Sequence, residues 1–332
     1  MKYEGRALGS DLTLAIEDEG IKIGSRYLDY SEVWSISPVS HRVLIDTMSG
    51  EQIEISMLGY SFDGFWEELL DRFGKRSLEA LFVDEELIML VEGEYQLPAE
   101  SGDQMRVATE SLSGGEQRRL SGERGRARIA LYPDSVCILP QTCRAVRIPL
   151  CFADSIWQEG YQLHITMRSG EEYVVGKMGY DTEAFVERTV NATDTVKKQR
   201  AKTLEQIPLS DGFSAKGLFR TEKSDQYWNA ALGNGVCALE LFTGEDAATY
   251  LYRFSEPTEQ FCIMLEEALE AMGTHREIVY LTEEQLQDKP LYRMAVDRMK
   301  AVRFLRGRSA GRIIHNSAHE QKLKEFLGSD SD

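Results

Sequence analysis

The sequence predicts an α+β protein built from a repeated unit, in which short antiparallel strands end in an amphipathic helix. Two observations predict it. The stretch from Met48-Ser49-Gly50-Glu51 through Leu58-Gly59-Tyr60 to Phe65 is matched without a gap by Arg168-Ser169-Gly170-Glu171 through Met178-Gly179-Tyr180 to Phe185. Each copy reads as a hairpin turn, a strand ending in Gly-Tyr, and a helix whose apolar residues fall on one face. With 332 residues and 42% apolar composition, the chain is long enough for two or three such cores.

From the start, Leu12-Thr13-Leu14-Ala15-Ile16 alternates as a strand does, and Glu17-Asp18-Glu19-Gly20 is a turn. Short strands follow near 21–23, 26–30, 33–36 and 42–47, and Ser49-Gly50 returns the chain into 52–58. Ser61 stands where it would cap a helix, and Phe62, Phe65, Trp66, Leu69, Leu70 and Phe73 share its core-facing side. The helix is expected to run to about Val83, with 87–95 a strand leaving the first domain, which spans 1–97.

Residues 98–125 are rich in Ser, Gly, Glu and Arg and read as a linker or long loop. Within them, Leu112-Ser113-Gly114-Gly115-Glu116-Gln117 resembles the signature of ABC-type ATPases. That chemistry needs a phosphate-cradling Gly-rich loop ending in Gly-Lys-Ser/Thr upstream, which the chain lacks. Leu81-Phe82-Val83-Asp84-Glu85 has the form of the family's strand ending in two acids, but it lies on the wrong side of the motif.

The second domain is expected over 126–205. Strands 128–131 and 136–139 flank a Tyr132-Pro133-Asp134-Ser135 turn, and 148–157 keeps register with 28–37. Asp181 takes the place of Ser61, while Thr189 and Thr193 replace Leu69 and Phe73, so the second helix is expected to pack less well. A sheet of six or seven short antiparallel strands closed by one C-terminal helix resembles the pleckstrin-homology (PH-like) fold, and two in tandem resemble the double PH-like arrangement of several interaction proteins. The resemblance implies tandem antiparallel β-barrels, each closed by a helix. Phosphoinositide-binding members carry a Lys/Arg cluster around the first hairpin. That stretch, taken as 17–22 and 132–135, is acidic or neutral here. The resemblance therefore implies a protein-interaction module, with phosphoinositide binding not expected.

The remainder, 206–332, is expected to hold a hairpin–helix module and a basic helical tail. After a linker near 207–217, strands near 236–242 and 247–254 flank Thr243-Gly244-Glu245. A helix from Pro257 then sets Phe261, Met264, Leu265, Ala268, Leu269 and Met272 on one side, ending at Gly273. This is either a degenerate third copy or an ordinary hairpin and helix. From Thr282 the chain turns helical and basic, with Arg293, Arg298, Lys300, Arg303, Arg306, Arg308 and Arg312 set against one acid, Asp297. Arg298, Arg303 and Arg306 are the candidate partner-contact residues. The same stripe is the only nucleic-acid candidate, although stacking aromatics are scarce, and a helix packed on the protein's own acidic surface accounts for it equally.

No catalytic, cofactor or metal site is predicted. His315 and His319 would share a helical face beside Glu320, yet no third or fourth ligand has diagnostic spacing. No G-x-S-x-G accompanies the serines. Five cysteines without C-x-x-C support neither a disulfide framework nor a zinc site. The net charge of −17 and pI near 4.9 repel nucleic acid and anionic membranes away from that basic stripe. No run could cross a bilayer, and Met1-Lys2-Tyr3-Glu4-Gly5 carries no apolar signal core, so the expectation is a cytoplasmic protein. The function expected is a non-enzymatic scaffold whose protein partner adds a strand to a sheet edge or a helix to the groove beside it. The alternatives are a chaperone-like binder of basic proteins, a nucleic-acid binder, or an enzyme whose site is assembled from scattered residues.

Overall fold

A computed structural model describes residues 2–98, 123–140, 145–204, 226–233, 235–243, 246–273, 275–315 and 317–328. The 98–125 linker with its ATPase-like motif and the linker near 207–217 lie almost wholly outside them. The first unit contains β1 (Lys2–Ala7), β2 (Ser10–Ile16), β3 (Gly20–Ile23), β4 (Arg26–Asp29), β5 (Val33–Val39), β6 (Arg42–Thr47), β7 (Gln52–Ser56) and helix α1 (Phe62–Ala80). The second repeats it as β8 (Met89–Gln96), β9 (Arg124–Leu131), β10 (Ser135–Pro140), β11 (Val146–Pro149), β12 (Ala153–Glu159), β13 (Gln162–Met167), β14 (Glu172–Gly176) and α2 (Thr182–Leu204).

Both units are seven-stranded antiparallel sheets of the same order, β4-β3-β2-β1-β7-β6-β5 and β11-β10-β9-β8-β14-β13-β12. They are open sheets rather than the closed barrels expected, since β4 and β5, and likewise β11 and β12, stand at opposite ends. A three-residue 3₁₀ turn between those edges, Tyr30–Glu32 and Leu150–Phe152, interrupts the ladder in each copy. In the first unit its fully buried Tyr30 meets Phe73 of α1 edge to face, with ring centres 5.7 Å apart, so side chains fill the gap that a ladder would close.

Two strands alter the domain boundaries read from the sequence. Strand β1 was missed because its buried side carries Tyr3, Gly5 and Ala7, which give little hydrophobic contrast. Strand β8, assigned by sequence to the first domain, is central to the second sheet, pairing along its length with β9 and at residues 94–96 with β14.

The matched positions of the repeat have physical causes. Gly59 and Gly179 hold φ of +54° and +62° with nothing near a potential Cβ, so the backbone conformation alone selects glycine. Phe65 and Phe185 are both fully buried. Phe65, Leu69 and Phe73 lie in one cluster with the inward faces of the first sheet, each contributing roughly 1.5–3 kcal/mol by burial. In α2 the buried side keeps Thr189 and Thr193, whose hydroxyls donate to the carbonyls of Phe185 and Thr189 at 2.8 Å, while Val190 is exposed. Ser61 makes no side-chain cap; a 3₁₀ turn over Gly59–Ser61 leads into α1 in its place.

The C-terminal module has a different architecture from the repeat. Strands β15 (Gln226–Gly233), β16 (Val236–Thr243) and β17 (Asp246–Arg253) are joined by β18 (Ser309–Ile314), a strand inside the region expected to be helical. Between β17 and β18 run α3 (Thr258–Met272), α4 (Glu283–Gln287), α5 (Pro290–Arg298) and α6 (Lys300–Arg306), with α7 (His319–Gly328) following β18. Phe261, Leu265, Ala268, Leu269 and Met272 of α3 share a core with Val302 and Leu305 of α6. Leu81 and Phe82, just beyond α1, enter the same core, where Phe82 stacks on His275 with ring centres 4.2 Å apart. The module is thereby seated on both sheet units.

Candidate interaction surfaces

The basic stripe of the C-terminal module is engaged within the molecule. Short helices leave carbonyls unpaired at their ends, and guanidinium groups reach them. Arg306 donates to the carbonyls of Ile278 at 2.6 Å and Leu281 at 2.9 Å, and pairs with Glu283 at 2.7 Å. Arg303 donates to the carbonyls of Val296 and Asp297. Arg298 is buried, its guanidinium 5.8 Å from the ring centre of Phe73. Arg293 bonds Ser31 of the first unit, Lys300 bonds Glu171 of the second, and Arg308 pairs with Glu256. Of the seven cations in the stripe, Arg312 alone is exposed. Arg298, Arg303 and Arg306 are therefore placed as internal fasteners, not on an open contact face.

The histidine pair is placed differently from the sequence expectation. His315 follows β18, before the helix that His319 opens, and the rings stack with centres 4.5 Å apart. His315 Nε2 lies 2.7 Å from the Thr249 hydroxyl, and burial, with His319 second, lowers its pKa. Among the described residues no group of three or more His, Cys, Asp or Glu side chains is arranged to hold a metal ion. Burial pushes the Cys137 thiol up to about 12 and raises that of Cys237, which leaves both poor nucleophiles.

An open cavity of about 530 Å³ lies on the second sheet, lined by Glu94, Gln96, Arg124, Arg126, Gln162 and Lys177 among others. Strand pairing sets its chemistry: Gln96 stands opposite Arg124 and Glu94 opposite Arg126. Lys177 pairs with Glu94 at 2.7 Å, while Arg124 and Arg126 are exposed and form no ion pair among the described residues. Glycines make the crossing that shapes the floor. A Cβ on Gly93 would lie 2.6 Å from the Gly176 carbonyl, and one on Gly176 would lie 2.4 Å from that of Tyr161. The sequence reading missed these cations because it began the strand at 128, leaving Arg124 in the linker and Arg126 ahead of the strand, whereas β9 starts at Arg124. The first antiparallel strand pairs of the units are β1–β2 and β8–β9, rather than strands around 17–22 and 132–135.

Strand β12 stands at one end of the sheet order and pairs with β13, whose Gln162 reaches the cavity. Its Asp154, Ser155, Trp157, Gln158 and Glu159 are exposed, and Tyr161 follows at 75% exposure. Trp157 stacks on His164 with ring centres 4.9 Å apart, and His164 Nδ1 lies 2.8 Å from Glu172. The equivalent edge, β5, carries Pro38, which lacks the N–H that an added strand would use. Strand β11, at the opposite edge of the second sheet, packs against α3. An edge rich in aromatic and polar residues without proline is the signal that could have marked β12 in the sequence. No helix among the described residues is long and apolar enough to cross a membrane. The chain matches no protein-family model, and a comparison with curated proteins gives no match.

Proposed function

We propose that the chain is a non-enzymatic scaffold of two PH-like units, and that it binds a protein partner on the outer surface of the second unit. The observations that carry this reading are the proline-free β12 strand at one end of the second sheet and, on the same sheet, a cavity whose Arg124 and Arg126 form no ion pair among the described residues. An extended segment pairing with β12 gains main-chain hydrogen bonds, and an acidic residue within reach of Arg124 and Arg126 supplies selectivity. The duplicated seven-stranded sheet with its C-terminal helix supports the PH-like assignment. Engagement of the C-terminal arginines inside the molecule favours this surface over the nucleic-acid reading, and the cations of the cavity favour an acidic partner over a basic one.

The test is affinity capture from native lysate with the full chain and two variants, Ser155→Pro and Arg124→Glu/Arg126→Glu, compared at equal thermal stability. A protein retained by the wild type and lost by both variants is the expected result. Identical capture by all three, or nucleic acid as the retained species, overturns the proposal.

A further inference from the structure

Two charged rows meet where the first unit touches the second, and then part. On α1, Asp63, Glu67 and Asp71 recur every four residues and share the exposed side of the helix. On β9, Arg124, Arg126 and Arg128 recur every two residues on the outer side of the sheet. Arg128 and Asp71 form an ion pair that joins the two rows at one end. Beyond that bridge the rows separate, because Arg124, Arg126, Asp63 and Glu67 are exposed and form no ion pair among the described residues. The arms are of equal reach. Glu67 and Asp63 lie about 6 and 12 Å from the bridge along the helix, and Arg126 and Arg124 lie about 7 and 13 Å from it along the strand.

Arms of equal length and opposite charge are self-complementary. A two-fold axis that bisects them carries the acidic arm of one protomer onto the basic arm of another. We propose that the chain pairs with a second copy of itself through this face, Arg124 binding Asp63 of the second copy and Arg126 binding its Glu67, with both pairs repeated across the axis. The pairing rests on the cavity surface of the proposed function and makes its acidic partner a second copy. Two further features fit that occupant. Gly64, between the two acids, has nothing near a potential Cβ, so no contact within the chain calls for glycine there, and its bare backbone lets another surface approach the helix. Tyr60, three residues ahead of Asp63, is wholly exposed, and the cavity beside Arg124 and Arg126 is lined by Val174 and Gly176, which leave room for its ring.

The test is sedimentation equilibrium on the full chain, with circular dichroism confirming that each variant folds. The wild type should show a reversible monomer–dimer equilibrium. Arg124→Glu/Arg126→Glu and Asp63→Lys/Glu67→Lys should each raise the dissociation constant roughly a hundredfold or more, because two-fold symmetry counts every substitution twice. Mixed in equal amounts, the two variants regain opposite charges across both halves of the interface and should form a one-to-one dimer. Tyr60→Ser should weaken the wild-type dimer roughly tenfold. A monomeric wild type, a dimer that any of these variants leaves unchanged, or a mixture that stays monomeric overturns the proposal. A monomeric wild type that still captures a lysate protein through Arg124 and Arg126 refutes the self-pairing and leaves the proposed function standing. Mutual rescue of the two charge variants, with the lysate capture identical in all forms, does the reverse.

Discussion

Arg306 is the sharpest test of how the C-terminal arginines are used. The Arg306→Met substitution keeps most of the apolar stem and removes the guanidinium, isolating its polar contacts from its packing. The side chain is only 14% exposed, whereas its partner Glu283 is 79% exposed, so that ion pair contributes little. The loss comes from the carbonyls of Ile278 and Leu281, each held by a charge-assisted bond worth about 1.5–3 kcal/mol. Allowing water to replace part of one bond, the variant should lose about 3 kcal/mol, which corresponds to about a hundredfold faster opening. Hydrogen exchange over 276–287 reads this directly, with Arg312→Met at the exposed cation as the control expected to change nothing. Protection within threefold of wild type in Arg306→Met would refute the fastening role and return Arg306 to the surface stripe read from the sequence.

Further substitutions test the repeat and the cavity floor. Gly93→Ala should destabilise the second sheet by about 2–3 kcal/mol, read as a lower urea midpoint, because its Cβ meets the Gly176 carbonyl. Gly59→Ala and Gly179→Ala should each cost about 1 kcal/mol and by similar amounts, since both sites demand positive φ in open space. Leu69→Ala should cost about 2–5 kcal/mol in the first unit, as a buried leucine leaves a cavity. The matched Thr189→Ala should cost about 1 kcal/mol, because it removes a methyl and one hydroxyl bond. Equal losses at those two positions would contradict the packing difference between the helices.

Local signals were legible where one residue type is forced by one cause. Gly59, Gly179, Phe65 and Phe185 are set by backbone angle or by burial within their own turn, and the repeat is readable from them. Strand β1 was not readable, because its inward Tyr3, Gly5 and Ala7 fit the sheet through shape rather than hydrophobicity. Membership of β8 in the second sheet depends on pairing along its length with β9 and at residues 94–96 with β14, long-range contacts that no local pattern encodes. The cationic cavity combines β9, β8 and the residue after β14, and only the sheet order brings these together. The arginine stripe was visible as charge, but its destination was not, because backbone carbonyls leave no mark on a sequence.

The duplication gives one architecture with two differently treated outer edges. The C-terminal module touches the first unit through the Tyr30–Glu32 turn and the end of α1, where Arg293 meets Ser31 and Arg298 lies over Phe73. It touches the second through β11 and the β13–β14 hairpin. In the first unit Pro38 blunts the β5 edge, and the helix is anchored by Leu69 and Phe73. In the second unit the β12 edge lacks that proline, and the helix substitutes threonines that must bond to their own backbone. The unit with the stronger helix packing is thus the one with the protected edge. The unit with weaker packing carries the proline-free edge and the cavity. Under the proposed function, that asymmetry gives the first copy the anchoring role and the second copy the recognition surface.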